Sequence, residues 1–252
     1  MRLFTSRCKV ASRPAARREN LRIGGESLAV TLKLNPRARK LIVKVHPSTG
    51  EVTVVAPSRR ALDSALEFAR SESDWIRKRL ARVPKSIELA VGASIPLRGE
   101  MHTIAPGERG RGPVWIDPDG GVSLIRASGD AKHIPRRVGD FLKREARKTF
   151  DTRVRYYAAM VGTRPGPITV RDTASRWGSC SATRALSFSW RLILAPDFVL
   201  DYVVAHEVAH MREMNHGPRF WKLVREMVPD IERPQLWLSQ NGTMLHRYAP
   251  RR

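Results

Sequence analysis

The stretch VVAHEVAHMREMNHGPRFW, Val203 to Trp221, decides how this chain is read. It places His206, His210 and His216 within eleven residues of a chain that holds only seven histidines, with Glu207 directly after the first. Residues four apart share one face of a helix, one turn from each other. On a helix, His206 and His210 therefore aim two imidazoles at one point, as two ligands of a zinc ion require. Glu207 sits about 100° round the helix from His206. From there its carboxylate reaches a water on the metal without joining the ligand set. Zinc lowers the pKa of such a water to about 7, and the glutamate takes its proton as it attacks. H-E-x-x-H on a helix carries this mechanism. Val203, Val204, Val208 and Met211 make the helix a buried one, and Tyr202 stands one turn before His206. The plainer alternative is a pair of histidines on a structural helix.

A catalytic zinc site needs a third protein ligand. In a straight helix, His216 would lie about 9 Å beyond His210 along the axis and point away. The chain must turn first, and MNHGP permits it. Asn215 tolerates the left-handed conformation, and Gly217 with Pro218 can open a new helix with proline at its first position. Imidazole at His216 is the favoured third ligand. Glu213, Glu226 and Glu232 are its rivals, since some zincins take a downstream glutamate. His46, His102, His133 and His246 stand alone along the chain and read as surface or core residues.

Outward from this stretch the pattern changes. From Pro196 to about residue 242 it is helical. Before it, ASRWGSCSATRALSFSWRLILAP reads as two strands joined around residues 178 to 184, and GPITVRD as another strand. HIPRRVGDFLKREARKTFDTRVRYYAAMVG has the spacing of one long amphipathic helix ending at Gly162. Residues 87 to 126 and 27 to 56 alternate apolar and polar side chains, as strands do. PSTG, Pro47 to Gly50, marks a turn in the earlier set. Between the two strand-rich stretches, SRRALDSALEFARSESDWIRKRLARV reads as one helix, with Ser58 as its N-cap. No repeat of solenoid period is present. The organisation expected is a basic arm over 1–20, a β-rich region with one helix over 21–126, and a catalytic domain over 133–252, with the seam near residues 127 to 135.

Composition narrows the function classes. At 252 residues, with 42% apolar and 28% charged side chains, the chain can bury its own core. Two cysteines, Cys8 and Cys180, make no disulfide framework, which fits a reducing, cytoplasmic setting. No apolar run reaches the length of a membrane span. The first twenty residues lack the apolar core of a secretory signal, and they read as a basic arm or an Arg-rich transit segment. The charge is strongest of all: 46 Lys and Arg against 24 Asp and Glu give +22. Such a field attracts polyanions, so weak nonspecific nucleic-acid binding is expected.

SRWGSCSATRALSFSWRLILAPDFVLDYVVAHEVAHMREMNHGPRFWKLVREMVPD resembles the YgjP-like zinc metallopeptidases, relatives of the SprT-like and WLM peptidases. The likeness is specific over about 165 to 240 and looser in the N-terminal strands, at NPRARKLIVKV and VTVVAP. It implies an α+β fold in which a β-rich N-terminal half precedes a zincin-like helical catalytic domain with a small sheet. It also implies Zn2+ on His206, His210 and His216, with Glu207 as general base. The ligand spacing is that of the metzincins, but Glu213 stands where their turn glycine would. SRWGSC is the second signature of the resemblance. It reads either as a hairpin whose Trp177 packs the core or as a strand edge beside the metal where an extended peptide adds as a strand. Arg176, and Tyr202 with it, would then steady an oxyanion or an anionic group of the substrate. Cys180 as a fourth ligand would close the open position and is disfavoured. The reading reached is a zinc-dependent hydrolase, foremost a metallopeptidase acting on peptide or protein. The alternatives are a metal-dependent nucleotide hydrolase and a nucleic-acid-associated protein whose metal site is proteolytic or structural.

Overall fold

A computed structural model describes residues 17–23, 25–46, 49–83, 85–108, 112–119, 122–173 and 176–249. The chain divides into two compact units, Met1–Val83 and Pro84–Arg252. Residues 1–16 of the expected basic arm, with any targeting role, lie outside the described residues, as do Pro47 and Ser48 of the expected PSTG turn. Residues 17–20 belong to the first strand rather than to an arm.

The first unit holds a four-stranded sheet of β1 (Arg17–Ile23), β2 (Glu26–Leu34), β3 (Ile42–Val45) and β4 (Val52–Ala56), in the order β1-β2-β4-β3. The β1–β2 and β3–β4 pairs are antiparallel, and β2–β4 is parallel. Its core gathers Leu21, Ile23, Val30, Leu32, Val52 and Val54 with Ala65, Ala69 and Ile76 of the helical stretch. That stretch is not one helix. It breaks into α1 (Arg59–Asp63), α2 (Ala65–Ser71) and α3 (Ser73–Leu80). Ser58 caps α1 as expected, its hydroxyl accepting from the Ala61 N–H at 3.2 Å. Each break has a serine beside it that turns back on the preceding turn. The Ser64 hydroxyl donates to the Ala61 carbonyl and the Ser71 hydroxyl to the Phe68 carbonyl. Such bonds compete with helix continuation. Ladder bonds from Phe68 to Ser64 and from Ile76 to Glu72 then restart it.

The second unit opens with β5 (Ile87–Glu88), then a sheet of β6 (Ser94–Leu97), β7 (Glu100–Gly107), β8 (Val114–Asp119) and β9 (Val122–Ser128), in the order β6-β7-β9-β8. Its strand order and polarity repeat those of the first unit. The chain does not divide at 127–135, where the seam was expected. Ile125 and Ala127 of β9 share one apolar cluster with Ile134 and Val138 of the next helix, on either side of an exposed connection at 129–133. That helix, α4 (Ile134–Met160), ends as expected at Gly162, which lies in the left-handed region at φ 63°. The Gly162 N–H reaches the Ala159 carbonyl and the Thr163 N–H the Ala158 carbonyl, a Schellman closure.

A three-stranded sheet follows, β10 (Ile168–Arg171), β11 (Gly178–Cys180) and β12 (Leu186–Ser189), in the order β10-β12-β11, so β11 is an edge strand. A fully buried 3-10 segment, Trp190–Leu194, leads into α5 (Asp197–Ala209), α6 (Pro218–Met227), α7 (Glu232–Leu245) and β13 (Tyr248–Ala249), which pairs with β5. Arg191 is 4% exposed. It pairs with Asp172 at 2.8 Å and donates to the carbonyls of Leu245, His246 and Tyr248, tying the C-terminal segment to the small sheet. Val199, Leu200, Val203, Val204, Ala205, Val208 and Ala209 are all buried, so α5 is apolar nearly all round, as a central core helix is. The architecture is the mixed one expected, with a β-rich first half and a helical last third. Among the described residues no helix is long and apolar enough to cross a membrane.

Candidate active site

His206 and Glu207 stand in the last turn of α5 and His210 is its C-cap, while Asp197 and Asp201 lie in its first two turns. His206 and His210 lie on one side, and Glu207 is 7% exposed in a helix otherwise packed in apolar side chains. The chain then turns. The Met211 and Arg212 N–H groups bond back to Val208 and Ala209, tightening the end of α5 into 3-10 form. Arg212 also donates to the Val161 carbonyl at the end of α4, at 2.8 Å, which pins the turn. Asn215 does not adopt the left-handed conformation expected of it. Among the described residues, the non-glycine residues with positive φ are Arg98 and Arg184. A turn that needs no left-handed residue needs no glycine, so Glu213 is tolerated where the metzincins have one. Gly217 precedes α6, and Pro218 is its first residue, as expected.

This bend brings His216 back to the helix it left. His216 Nε2 lies 3.1 Å from His206 Nε2, and one nitrogen from each of the three histidines falls within a set no wider than 4.8 Å. Ligands of a tetrahedral zinc at about 2.0–2.1 Å stand about 3.3 Å apart, so the His206–His216 spacing suits a shared cation. His210 Nδ1 lies 3.1 Å from the Glu213 carbonyl. A carbonyl only accepts, so Nδ1 carries the proton and Nε2 keeps its lone pair for a metal. Burial, then the neighbouring His210 and His216, pushes the His206 pKa down to about 4; burial also lowers that of His210. Both stay neutral near pH 7, the form that binds metal. Neither Glu226 nor Glu232 joins the set; Glu232 reaches Arg225 instead, at 3.9 Å. From Glu213 it is the backbone carbonyl, not the carboxylate, that reaches the site.

Two residues that sequence reasoning passed over complete the surroundings. Phe220 is fully buried, with its ring centroid 4.6 to 4.9 Å from all three imidazoles. It stands one turn after His216 on α6, a spacing that could have flagged it. Gly178, in β11, lies against Glu207: a Cβ there would stand 2.6 Å from both Glu207 Cγ and Oε1. The WGS of the second signature is thus where an edge strand meets the buried carboxylate. Burial pushes the Glu207 pKa up to about 7, and the charge of Arg176 pulls the other way.

The remaining candidates fall into place around this centre. Arg176 is exposed at the entry to β11, and its carbonyl accepts from the Thr173 hydroxyl at 2.8 Å. Ser175 lies outside the described residues. Trp177 packs on the core and stacks on His246, 5.1 Å between centroids, so the packing reading of that tryptophan holds. Tyr202 is buried, its ring 6.0 Å from that of His206, and its hydroxyl accepts from Gln235 Nε2 at 2.8 Å. Cys180 is half-buried and outside the histidine set. Burial, then the nearby Glu207, pushes its thiol up to about 11.

The profile of the YgjP-like metallopeptidase domain matches residues 39–241. The chain belongs to the YgjP-like metallopeptidase family. The YgjP-like match takes in every residue of the candidate site, from Arg176 to Phe220. Among solved structures, the metallopeptidase zymogen of Pyrococcus abyssi abylysin aligns with 40% of this chain and 98% of its own, at 19% identity and a TM-score of 0.34. So distant a likeness assigns no role to any residue of the YgjP-like chain. No curated protein matches it.

Proposed function

We propose that this chain is a zinc-dependent peptidase. His206, His210 and His216 hold the ion, and Glu207 is the proton acceptor of the reaction. The observation that carries the reading is the convergence of three imidazole nitrogens beside a buried carboxylate, in a chain of a metallopeptidase family. When bound, zinc supplies Lewis acidity, which acidifies a water and polarises a carbonyl. The chain's own residues do the rest. The Glu213 carbonyl holds His210 in the tautomer that leaves Nε2 free. Phe220 packs against the three rings and limits their rotation. Glu207, held against Gly178, has a proton affinity close to neutral pH, where a general base works best. It accepts a proton from the attacking water and returns it to the leaving amine. Among the described residues β11 is an edge strand, and it runs beside Glu207, so an extended peptide can add to it as a further strand, with its scissile carbonyl near the histidines. Arg176 and Tyr202 flank this space and are assigned to the developing oxyanion.

The matched family domain is a peptidase one, and among the described residues the site shows no feature that favours a phosphoanhydride or a nucleic acid over a peptide. The test is metal content beside peptide cleavage. The purified chain should carry about one zinc and lose cleavage to a chelator. His206→Ala, His210→Ala and His216→Ala should each lose the metal, whereas Glu226→Gln and Glu232→Gln should keep it. Zinc at the wild-type level in all three histidine variants would end this reading.

A further inference from the structure

From His216 onward, one face of α6 borders a shallow open groove of about 700 Å3, lined within residues 216–226 by His216, Pro218, Trp221, Lys222, Arg225 and Glu226. Pro218, Trp221, Lys222 and Arg225 follow one another at i, i+3, i+4 and i+7, so one helix face forms the wall. From Pro218 to Arg225 the helix rises about 10 Å, the length of about three residues of extended peptide. The groove therefore begins at a candidate ligand and runs on for about three residues of substrate.

Its chemistry is selective. The Trp221 ring stands 6.0 Å from the rings of His206 and His216 and gives the near end a flat apolar surface. Lys222 is exposed and has no carboxylate within ion-pair distance among the described residues. Arg225 meets Glu232 only at 3.9 Å, between side chains 54% and 74% exposed, a pair that contributes little. Glu226 is the one carboxylate of the lining, against two cations. Around it lies a chain of charge +22, whose field draws acidic segments toward the surface.

We propose that this groove is a substrate subsite for an acidic side chain, Asp or Glu, two to four residues from the scissile bond. The assignment rests on the peptidase reading above. It makes acidic segments of unfolded protein the preferred substrate class, with Trp221 packing on the stem of the bound side chain and Lys222 and Arg225 meeting its carboxylate.

The test starts from an unstructured protein digested by the zinc-loaded full chain, with cleavage sites located by mass spectrometry. The best-cleaved peptide is then made with Glu, Gln or Lys at each of positions two to four on both sides of the bond. At one position kcat/KM should rank Glu over Gln over Lys, with Glu over Gln by about three- to tenfold, the range of one or two exposed ion pairs. Lys222→Glu with Arg225→Glu should invert the ranking, and Lys222→Glu alone should shrink it. Lys222→Arg should keep it, and Glu226→Gln should widen it. Cleavage without any such ranking, or a ranking that survives the double reversal, overturns the subsite alone. A wild-type chain that binds zinc and cleaves no peptide overturns the peptidase reading, and the subsite with it.

Discussion

Gly178→Ala tests the contact that joins the two signatures of this chain. The added Cβ would lie 2.6 Å from Glu207 Cγ and Oε1 and 2.9 Å from Cδ. Ordinary contact begins near 3.4 Å, so the side chain must retreat by about 0.8 Å. Rotating the carboxylate alone does not suffice, because Cγ is as close as the oxygen. The helix behind it cannot yield, since Val203, Val204 and Val208 are packed in the core. Overpacking of this kind costs about 1–3 kcal/mol in stability, and a displacement of about 1 Å in a catalytic group costs about 10²-fold in rate. The expected outcome is a folded protein with wild-type zinc, a modestly lower Tm, and a kcat/KM for peptide cleavage reduced about 10²-fold. The assay is peptide turnover alongside metal analysis and a thermal melt. Full activity in the Ala variant would show that Glu207 does not depend on this contact, and the argument from Gly178 would fall.

Other expectations follow from the same structure. Arg191→Leu strips donors from three backbone carbonyls and removes the guanidinium partner of Asp172, so a denaturant melt should show a loss of about 3 kcal/mol. Burial alone would raise the Asp172 pKa, but the hydrogen bonds and charge of Arg191 outweigh it and hold the carboxyl below its usual value. Its stabilisation is therefore present above the unfolded-state pKa and lost as the pH falls through the lower folded value. Asp172→Asn should then be less stable at pH 7 and show a shallower loss between pH 5 and pH 2; an unchanged acid limb would refute the linkage. Phe220→Ala removes the ring that packs the three imidazoles and should weaken zinc affinity, read by chelator competition, by about 10-fold or more. An unchanged affinity would mean that the histidines hold their geometry without it.

What could be read from the sequence, and what could not, divides by range. His206 and His210 are set by one turn of one helix, and Gly217–Pro218 announce the next, so local periodicity shows both. The long α4 and its Gly162 stop are legible for the same reason. Gly178 touches Glu207 across 29 residues of chain, and no local pattern carries such a contact. The turn at 210–217 was expected to need a left-handed residue, but the 3-10 closure of α5 and the Arg212–Val161 bond make the bend without one. The two compact units meet at Val83–Pro84, whereas strand content gives way to helix at 127–135, where Ile125 and Ile134 on either side belong to one apolar cluster. The breaks at Ser64 and Glu72 leave the buried face of the helical stretch intact, so its periodicity shows no interruption.

The claim at the centre is that metal binding and proton transfer belong to different residues of the same helix turn. Glu207→Gln separates them, since it keeps shape and hydrogen-bonding atoms but removes the base. Zinc content and peptide cleavage are measured on the same preparation. The account requires zinc as in the wild type and cleavage lower by at least about 10²-fold. Loss of zinc would make Glu207 a ligand or the support of one, and zinc retained with full cleavage would place the base elsewhere.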